Sequence, residues 1–303
     1  LKVTPRLAAI LFVINALWGP VGLAVKIAQD EWTASAISAV RWVAVVALVW
    51  GALAFAPVRA TLRVRWPHGR DRWVAAVLGL TMIAPAHLIY YIALSQTSSV
   101  EATALGISAP LWIALFGVVL LGERVTIWRW AALVLGGIGC YVVAAGFGPP
   151  NLDAAHARGN ALYLIGVFVE ALGVALAARI VKRSSGVGAL AFQLLGVATG
   201  ALIFPILFGG PVAFGMTGAS PATIGAIAYL VLIASIVCWG TWYALAERAP
   251  ISLLVVASAI QPPVAGALGA WLLGEAITFE LLSGGTIVLA SLLLAAAADR
   301  TPA

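Results

Sequence analysis

Charge is scarce in this chain. Its 303 residues carry 11 acidic and 17 basic side chains, and charged residues make up 9% of the sequence. Polar stretches are short as well; the longest run from about Pro57 to Arg72 and from Phe147 to Arg158. Neither is long enough to fold alone, which excludes a separate soluble domain. There is no G-x-x-x-x-G-K-[ST] phosphate loop and no H-E-x-x-H helix, which argues against a built-in ATPase or a zinc protease. Of three histidines only His87 lies in an apolar run, and no nucleophile and base sit at a recognised spacing. No enzyme is expected, and no cofactor or metal. The two cysteines, Cys140 and Cys238, both fall in apolar runs, where a small buried residue is expected and not a disulfide or a metal ligand.

Apolar residues are what the chain has instead. They make up 63% of it, with a mean hydropathy of +1.08, values that no partition into soluble core and surface produces. Runs of roughly 20 apolar residues, enough for a helix to cross a bilayer core of about 30 Å, number ten. They cover about 6–28, 32–56, 72–95, 99–121, 127–146, 159–181, 186–208, 221–246, 250–273 and 279–298. Lys2 and Arg6 precede the first, which is too long for a signal peptide and reads as a retained span. The expected fold is an all-α integral membrane protein of ten transmembrane helices.

The tetrapeptide Leu-Leu-Gly-Glu occurs at 120–123 and again at 272–275. At that offset of 152, Pro110 matches Pro262, Gly122 matches Gly274, Glu123 matches Glu275 and Thr126 matches Thr278. A duplicated unit of five spans must sit inverted in its second copy, and inverted repeats mark secondary transporters. The expected organisation is a first repeat over 1–146, a periplasmic linker over 147–158 and a second repeat over 159–303. With the N-terminus inside, fourteen of the seventeen Lys and Arg residues become cytoplasmic, leaving Lys26, Arg41 and Arg158. The net charge of +6 is then topology and not nucleic-acid binding.

Charged groups near the midplane cost roughly 2.5–3.5 kcal/mol each and persist when paired, wet or useful. Arg41 lies ~13 Å into its span and Glu170 ~16 Å into the sixth, from the same side, at 1.5 Å per residue. Three readings are open: an ion pair joining the halves, a site that meets the carboxylate and amine of a zwitterion or gates with a proton, or two charges that never meet. In the third span His87, Tyr90 and Tyr91 share one helical face, and the repeat offset carries them onto Trp239, Trp242 and Tyr243 in the eighth. The stripes either line a cavity or form interfacial belts. Asn15, Trp18, Trp112 and Gln261 are further lining candidates. Trp112 and Gln261 sit beside Pro110 and Pro262, where a kink frees backbone groups. Glu123 and Glu275, at helix C-termini that disfavour a carboxylate, are expected to cap the helix that begins next. Gly196 and Gly200 form a GxxxG step expected to pack helices.

Leu17-Trp18-Gly19, Arg41, Pro110-Leu111-Trp112, Leu121-Gly122-Glu123-Arg124, Trp130, Gly136-Gly137, Gln261-Pro262-Pro263 and Gly274-Glu275 together resemble the drug/metabolite transporter superfamily, in its EamA-type ten-helix branch. The resemblance covers essentially the whole chain. It implies a secondary transporter exporting small organic metabolites, amino acids including aromatic and large neutral ones, by alternating access through a central cavity. One branch of the family exports aromatic amino acids; other members carry nucleotide sugars or sugar phosphates, and a passive facilitator is the alternative. The expected setting is a bacterial-type inner membrane with both termini cytoplasmic. Expected partners are a small-molecule substrate and the lipid bilayer, with no nucleic acid, and the protein is expected to be a monomer.

Overall fold

The computed structural model describes residues 5–106, 108–121, 127–148, 155–209, 214–246, 257 and 260–298. Its described residues form helices and connecting turns, with one isolated bridge between Trp32 and Met216. Six helical stretches among them are long and apolar enough to cross a membrane: 9–29, 34–54, 70–94, 156–178, 186–208 and 221–245. Two shorter apolar helices cover 130–143 and 279–291. Large apolar side chains such as Trp73, Phe208 and Trp271 are more than 70% exposed, an arrangement suited to lipid and not to water. The chain is a multi-pass membrane protein.

In chain order the helices are α1 (Pro5–Trp18), α2 (Val21–Gln29), α3 (Ala34–Ala54), α4 (Ala56–Thr61), α5 (Arg70–Leu78), α6 (Ala84–Leu94), α7 (Ser99–Gly106), α8 (Ala109–Leu121), α9 (Ile127–Ala145), α10 (Ala155–Arg183), α11 (Gly186–Gly209), α12 (Pro221–Ala228), α13 (Gly240–Ala246), α14 (Gln261–Leu273) and α15 (Phe279–Ala298). A π-helical segment, Gly79–Ile83, joins α5 to α6, and a longer one, Tyr229–Trp239, joins α12 to α13. The prolines expected to kink the fourth and ninth spans begin helices instead. Pro110 follows the first residue of α8, after a break between α7 and α8, and Pro262 and Pro263 open α14. The first turn of a helix is where a missing N–H costs nothing, so the chain breaks there and restarts.

The helices gather into two compact units. One comprises Leu1–Leu23, Ile92–Ala175 and Ala249–Ala303, the other Ala24–Tyr91 and Leu176–Arg248.

In the first unit α9 and α15 cross in close contact. A Cβ on Gly139 would meet the Gly284 carbonyl at 2.8 Å, and one on Gly284 would meet the Gly139 carbonyl at 2.8 Å, so only glycine permits this approach. Around the crossing lies a core of Val100, Leu105, Leu111, Cys140, Val143 and Val288. Cys140 takes the buried role expected of it. Gly19 likewise faces the Gln261 carbonyl, 2.8 Å from where its Cβ would be, which admits α14 against the end of α1.

Glu275 is a cap, but not of the helix that follows it. Its carboxylate accepts from the Ser99 N–H at 2.8 Å, the Ser99 hydroxyl at 2.6 Å and the Val100 N–H at 3.3 Å, and so closes the N-terminus of α7. The helix that follows, α15, is capped by Thr278, whose Oγ1 accepts from the Leu281 N–H at 3.2 Å. Gly274, in the left-handed conformation at φ 65°, ends α14 and turns the chain between the two. Glu123 lies outside the described residues.

In the second unit α3 and α11 run antiparallel. The segment after α3 meets the start of α11, where the Ser185 N–H donates to the Arg65 carbonyl, and Trp50 near the end of α3 donates to the Ala191 carbonyl at 3.1 Å. Trp50 stacks on Trp66, and Phe192 meets both edge-on. Gly196 and Gly200 pack against Ala76, Leu80 and Ala84, the role their spacing predicts. Glu31, in the turn before α3, accepts from the Ser220 N–H at 2.8 Å. Hydrogen bonds from the Thr223 side chain and the Ser220 backbone hold its carboxyl below the ordinary value of 4.5. A depressed folded value stabilises the protein above the unfolded value, and that contribution is lost as pH falls through the folded one. Detergent-purified protein is therefore expected to lose thermal stability below about pH 4.5, with part of that slope absent from Glu31→Gln; identical slopes would show that Glu31 contributes nothing.

Candidate functional site

Arg41 is buried, 1% exposed on the buried face of α3, the most deeply placed charge among the described residues of the second unit. Its Nε donates to the Ser235 hydroxyl at 3.0 Å and its Nη1 to the Tyr91 hydroxyl at 2.6 Å. Neither partner carries a charge. The guanidinium carbon lies 4.6 Å from the ring centroid of Trp42, a cation–π distance. Ser235 reaches Arg41 from the π-helical segment, where its hydroxyl also donates to the Leu230 carbonyl five residues back at 2.8 Å. Such segments are frequent at functional sites.

An aromatic wall continues from Arg41. Trp42 meets His87 edge-on at 4.8 Å and Trp239 at 5.5 Å, and His87 and Trp239 lie 5.5 Å apart, closing a three-ring cluster. His87 also contacts Tyr90 and Tyr91, at 5.4 and 6.4 Å. Trp239 extends the wall to Tyr243 at 6.0 Å, and the Tyr243 hydroxyl donates to Gln193 Oε1 at 3.1 Å. His87, Tyr90, Tyr91 and Trp239 are each no more than 9% exposed. Belt residues point outward at the membrane surface, and these do not. Tyr91, near enough to its span end to qualify for a belt, is buried and bonded to Arg41.

Among the described residues of this unit, Ser38 Oγ, Trp42 Nε1 and Gln193 Nε2 are buried without a hydrogen-bond partner. Buried polar groups are overwhelmingly paired, so each calls for an explanation.

Of the twelve residues singled out from the sequence, Arg41, His87, Tyr90, Tyr91, Trp239, Trp242 and Tyr243 belong to this unit; Trp242 is half-buried, and the other six make the contacts just described. Asn15, Trp18, Trp112, Glu170 and Gln261 belong to the other. There Gln261 Nε2 donates to Asn15 Oδ1 at 2.7 Å, while Asn15, fully buried, donates to the Leu11 carbonyl at 2.8 Å. That pair ties α1 to α14. Trp112 packs edge-on against Phe168 at 5.3 Å, beside a core of Phe116, Ala171 and Ala175. It also walls a cavity of about 80 Å³ with Ser108, Leu111, Leu133 and Gly136. Ligand sites for drug-sized molecules occupy about 300–1,000 Å³, so this one is a packing gap. Trp18 and Glu170 are half-buried.

Sequence reading missed Trp42, Ser235 and Gln193. Gln193 was detectable by the reasoning that found Arg41, since it is a strongly polar side chain inside an otherwise apolar span. Ser235 was also within reach, four residues before Trp239 and therefore on its face. Trp42, next to Arg41 in sequence, carries no periodic signal of its own.

Comparison with known proteins agrees in kind. Residues 6–145 match the family model described as the EamA-like transporter family. The chain is 27% identical over 289 residues to an Escherichia coli protein named as an uncharacterized inner membrane transporter, YedA, covering 94% of this chain and 89% of that one. It is 28% identical over 220 residues to an uncharacterized transporter of Archaeoglobus fulgidus, covering 72% of this chain and 75% of that one. A solved crystal structure matches with a TM-score of 0.66 at 20% identity, over 96% of this chain and 97% of that chain, a likeness of fold.

Proposed function

We propose that the protein is a secondary transporter of the drug/metabolite type that exports small carboxylate-bearing metabolites, amino acids with aromatic or large apolar side chains among them. The observation that carries this reading is Arg41, buried and hydrogen-bonded to the Ser235 and Tyr91 hydroxyls, at the head of a wall of aromatic rings. A planar guanidinium suits a carboxylate, and flat rings add about 0.5–1.5 kcal/mol per aromatic contact beyond area burial, which gives affinity with loose selectivity. The similarity of residues 6–145 to EamA-like transporters, and of nearly the whole chain to an inner membrane transporter, supports the transport half of the proposal.

Ten spans in two inverted repeats, with both termini cytoplasmic, are part of the proposal. Support comes from features that recur at the sequence offset. The π segment Gly79–Ile83 corresponds to 231–235, inside the π segment of the eighth span. Packing of the first span on the ninth, through Asn15 and Gln261, has its counterpart in the packing of the fourth on the sixth, through Phe116 and Ala171. In intact cells, a cysteine placed at Arg65 should resist an impermeant maleimide; rapid labelling would invert the proposed orientation.

Trp239→Ala is expected to lower export of phenylalanine and tryptophan about 10-fold or more, since it removes a ring touching three others, while the amount of protein at the membrane holds. Unchanged export in Trp239→Ala and in His87→Ala would place the substrate elsewhere. In proteoliposomes an imposed proton gradient separates the two mechanisms: a coupled exporter accelerates, and a passive facilitator does not.

A further inference from the structure

The far end of the aromatic wall from Arg41 is polar, and one atom of its buried amide is unmet. Gln193 is 3% exposed on α11, and the Tyr243 hydroxyl engages only one of its two amide heteroatoms. Tyrosine can donate or accept, so turning the amide over would leave the other atom unmet instead. Either way one end of a buried amide lacks a partner at the point where Tyr243 ends the ring series Trp42, Trp239, Tyr243. A second buried donor, Trp42 Nε1, is also without a partner, beside Arg41.

The spacing between the two poles follows from helix geometry. Trp50, which bonds the Ala191 carbonyl, is nine residues past Arg41 on α3, ~13 Å along the axis. Because α11 runs antiparallel, Gln193 lies ~3 Å back toward the level of Arg41, leaving ~10 Å between the poles. An aromatic amino acid bearing a polar group at the tip of its ring, extended along the wall, spans about that length, with its carboxylate at one end and a hydroxyl at the other.

We infer that Gln193, oriented by Tyr243, is a specificity-determining residue that hydrogen-bonds a polar group at the distal tip of an aromatic, carboxylate-bearing substrate whose carboxylate meets Arg41. The inference rests on the function proposed above and narrows it to a substrate class. A site that leaves a buried amide unpaired against an apolar tip rejects that ligand, because the unmet group keeps its desolvation cost. Apolar and hydroxylated rings of one size should therefore bind unequally.

The test is calorimetric titration of the purified full-length protein with tyrosine and with phenylalanine, which differ by the ring hydroxyl. The wild type should bind tyrosine about 10- to 100-fold more tightly. Gln193→Leu should lose that preference by weakening tyrosine while keeping phenylalanine within a few-fold, and Tyr243→Phe should reduce it in part. Equal wild-type affinities, or a preference that survives in Gln193→Leu, would overturn the role of Gln193 and leave the aromatic carboxylate reading standing. Binding of neither amino acid to the wild type would overturn both. Should the leucine variant not fold, Gln193→Asn, which keeps the amide but shortens its reach, takes its place with the same expected loss of preference.

Discussion

Arg41→Gln is expected to leave a folded protein that has lost transport, with export down by at least ~30-fold, because truncating one member of a desolvated charge contact costs about 2–5 kcal/mol. The side chain is buried to 1% exposure, and its hydrogen bonds run to the Ser235 and Tyr91 hydroxyls. Glutamine keeps a donor for one of them. What it removes is the charge, held in the protein without a charged partner in its hydrogen bonds. Arg41→Lys is expected to recover part of the activity, since the ammonium keeps the charge but not the two-pronged donor. The sequence offers two carboxylates for this charge, that of Glu170 and that of the substrate. If Glu170 neutralises Arg41, the double change Arg41→Gln with Glu170→Gln should be more stable than either single change, because removing both members leaves no buried charge. If the substrate does, Arg41→Gln should fold normally and lose binding of carboxylate-bearing ligands specifically. A stable Arg41→Gln protein exporting at the wild-type rate would defeat both versions.

Glu275→Ala is expected to be the most destabilising single change at a helix end. It strips one acceptor from three donors, two of them backbone N–H groups of Ser99 and Val100, which are 1% and 3% exposed. Leaving buried donors unmet costs about 1–3 kcal/mol each, so a loss of about 2–4 kcal/mol is expected after partial relaxation. It should appear as a lowered melting temperature in detergent and lower abundance in the membrane. Glu275→Gln, which keeps one acceptor oxygen, should lie between. A melting temperature within about 1 °C of wild type for the alanine variant would correspond to roughly 0.6 kcal/mol, well short of the expected loss, and would show that the cap is ornamental. Since Glu275 joins the end of α14 to the start of α7, its role is to hold the first unit together, and a substrate contact is not needed to explain it.

That carboxylate shows where sequence reading reaches and where it stops. A glutamate at a helix C-terminus is electrostatically misplaced unless it caps something, and this much can be read from Gly274 and Glu275 alone. Which helix it caps cannot, because α7 lies more than 170 residues away in sequence and the nearer candidate, α15, is served by Thr278. The aromatic stripes were legible for a similar reason. Spacings of three and four residues put His87, Tyr90 and Tyr91 on one helical face, and the offset carried the pattern to Trp239, Trp242 and Tyr243. Burial of Tyr91 against Arg41 was not legible, since position near a span end suggests a membrane belt. Proline beside a polar residue suggested kinks where the chain instead starts new helices, because a local pattern does not tell an interrupted helix from a bent one. The π-helical segments left no trace in a reading that assumes 3.6 residues per turn, yet one of them delivers Ser235 to Arg41.

Flux through the purified protein in liposomes tests the account most directly. Proteoliposomes loaded with unlabelled phenylalanine, tyrosine or tryptophan and diluted into labelled substrate should show saturable counterflow, abolished in Arg41→Gln and retained in a control substituted at the exposed residue Trp73. Absence of counterflow with every aromatic amino acid, or equal counterflow in wild type and Arg41→Gln, would contradict it.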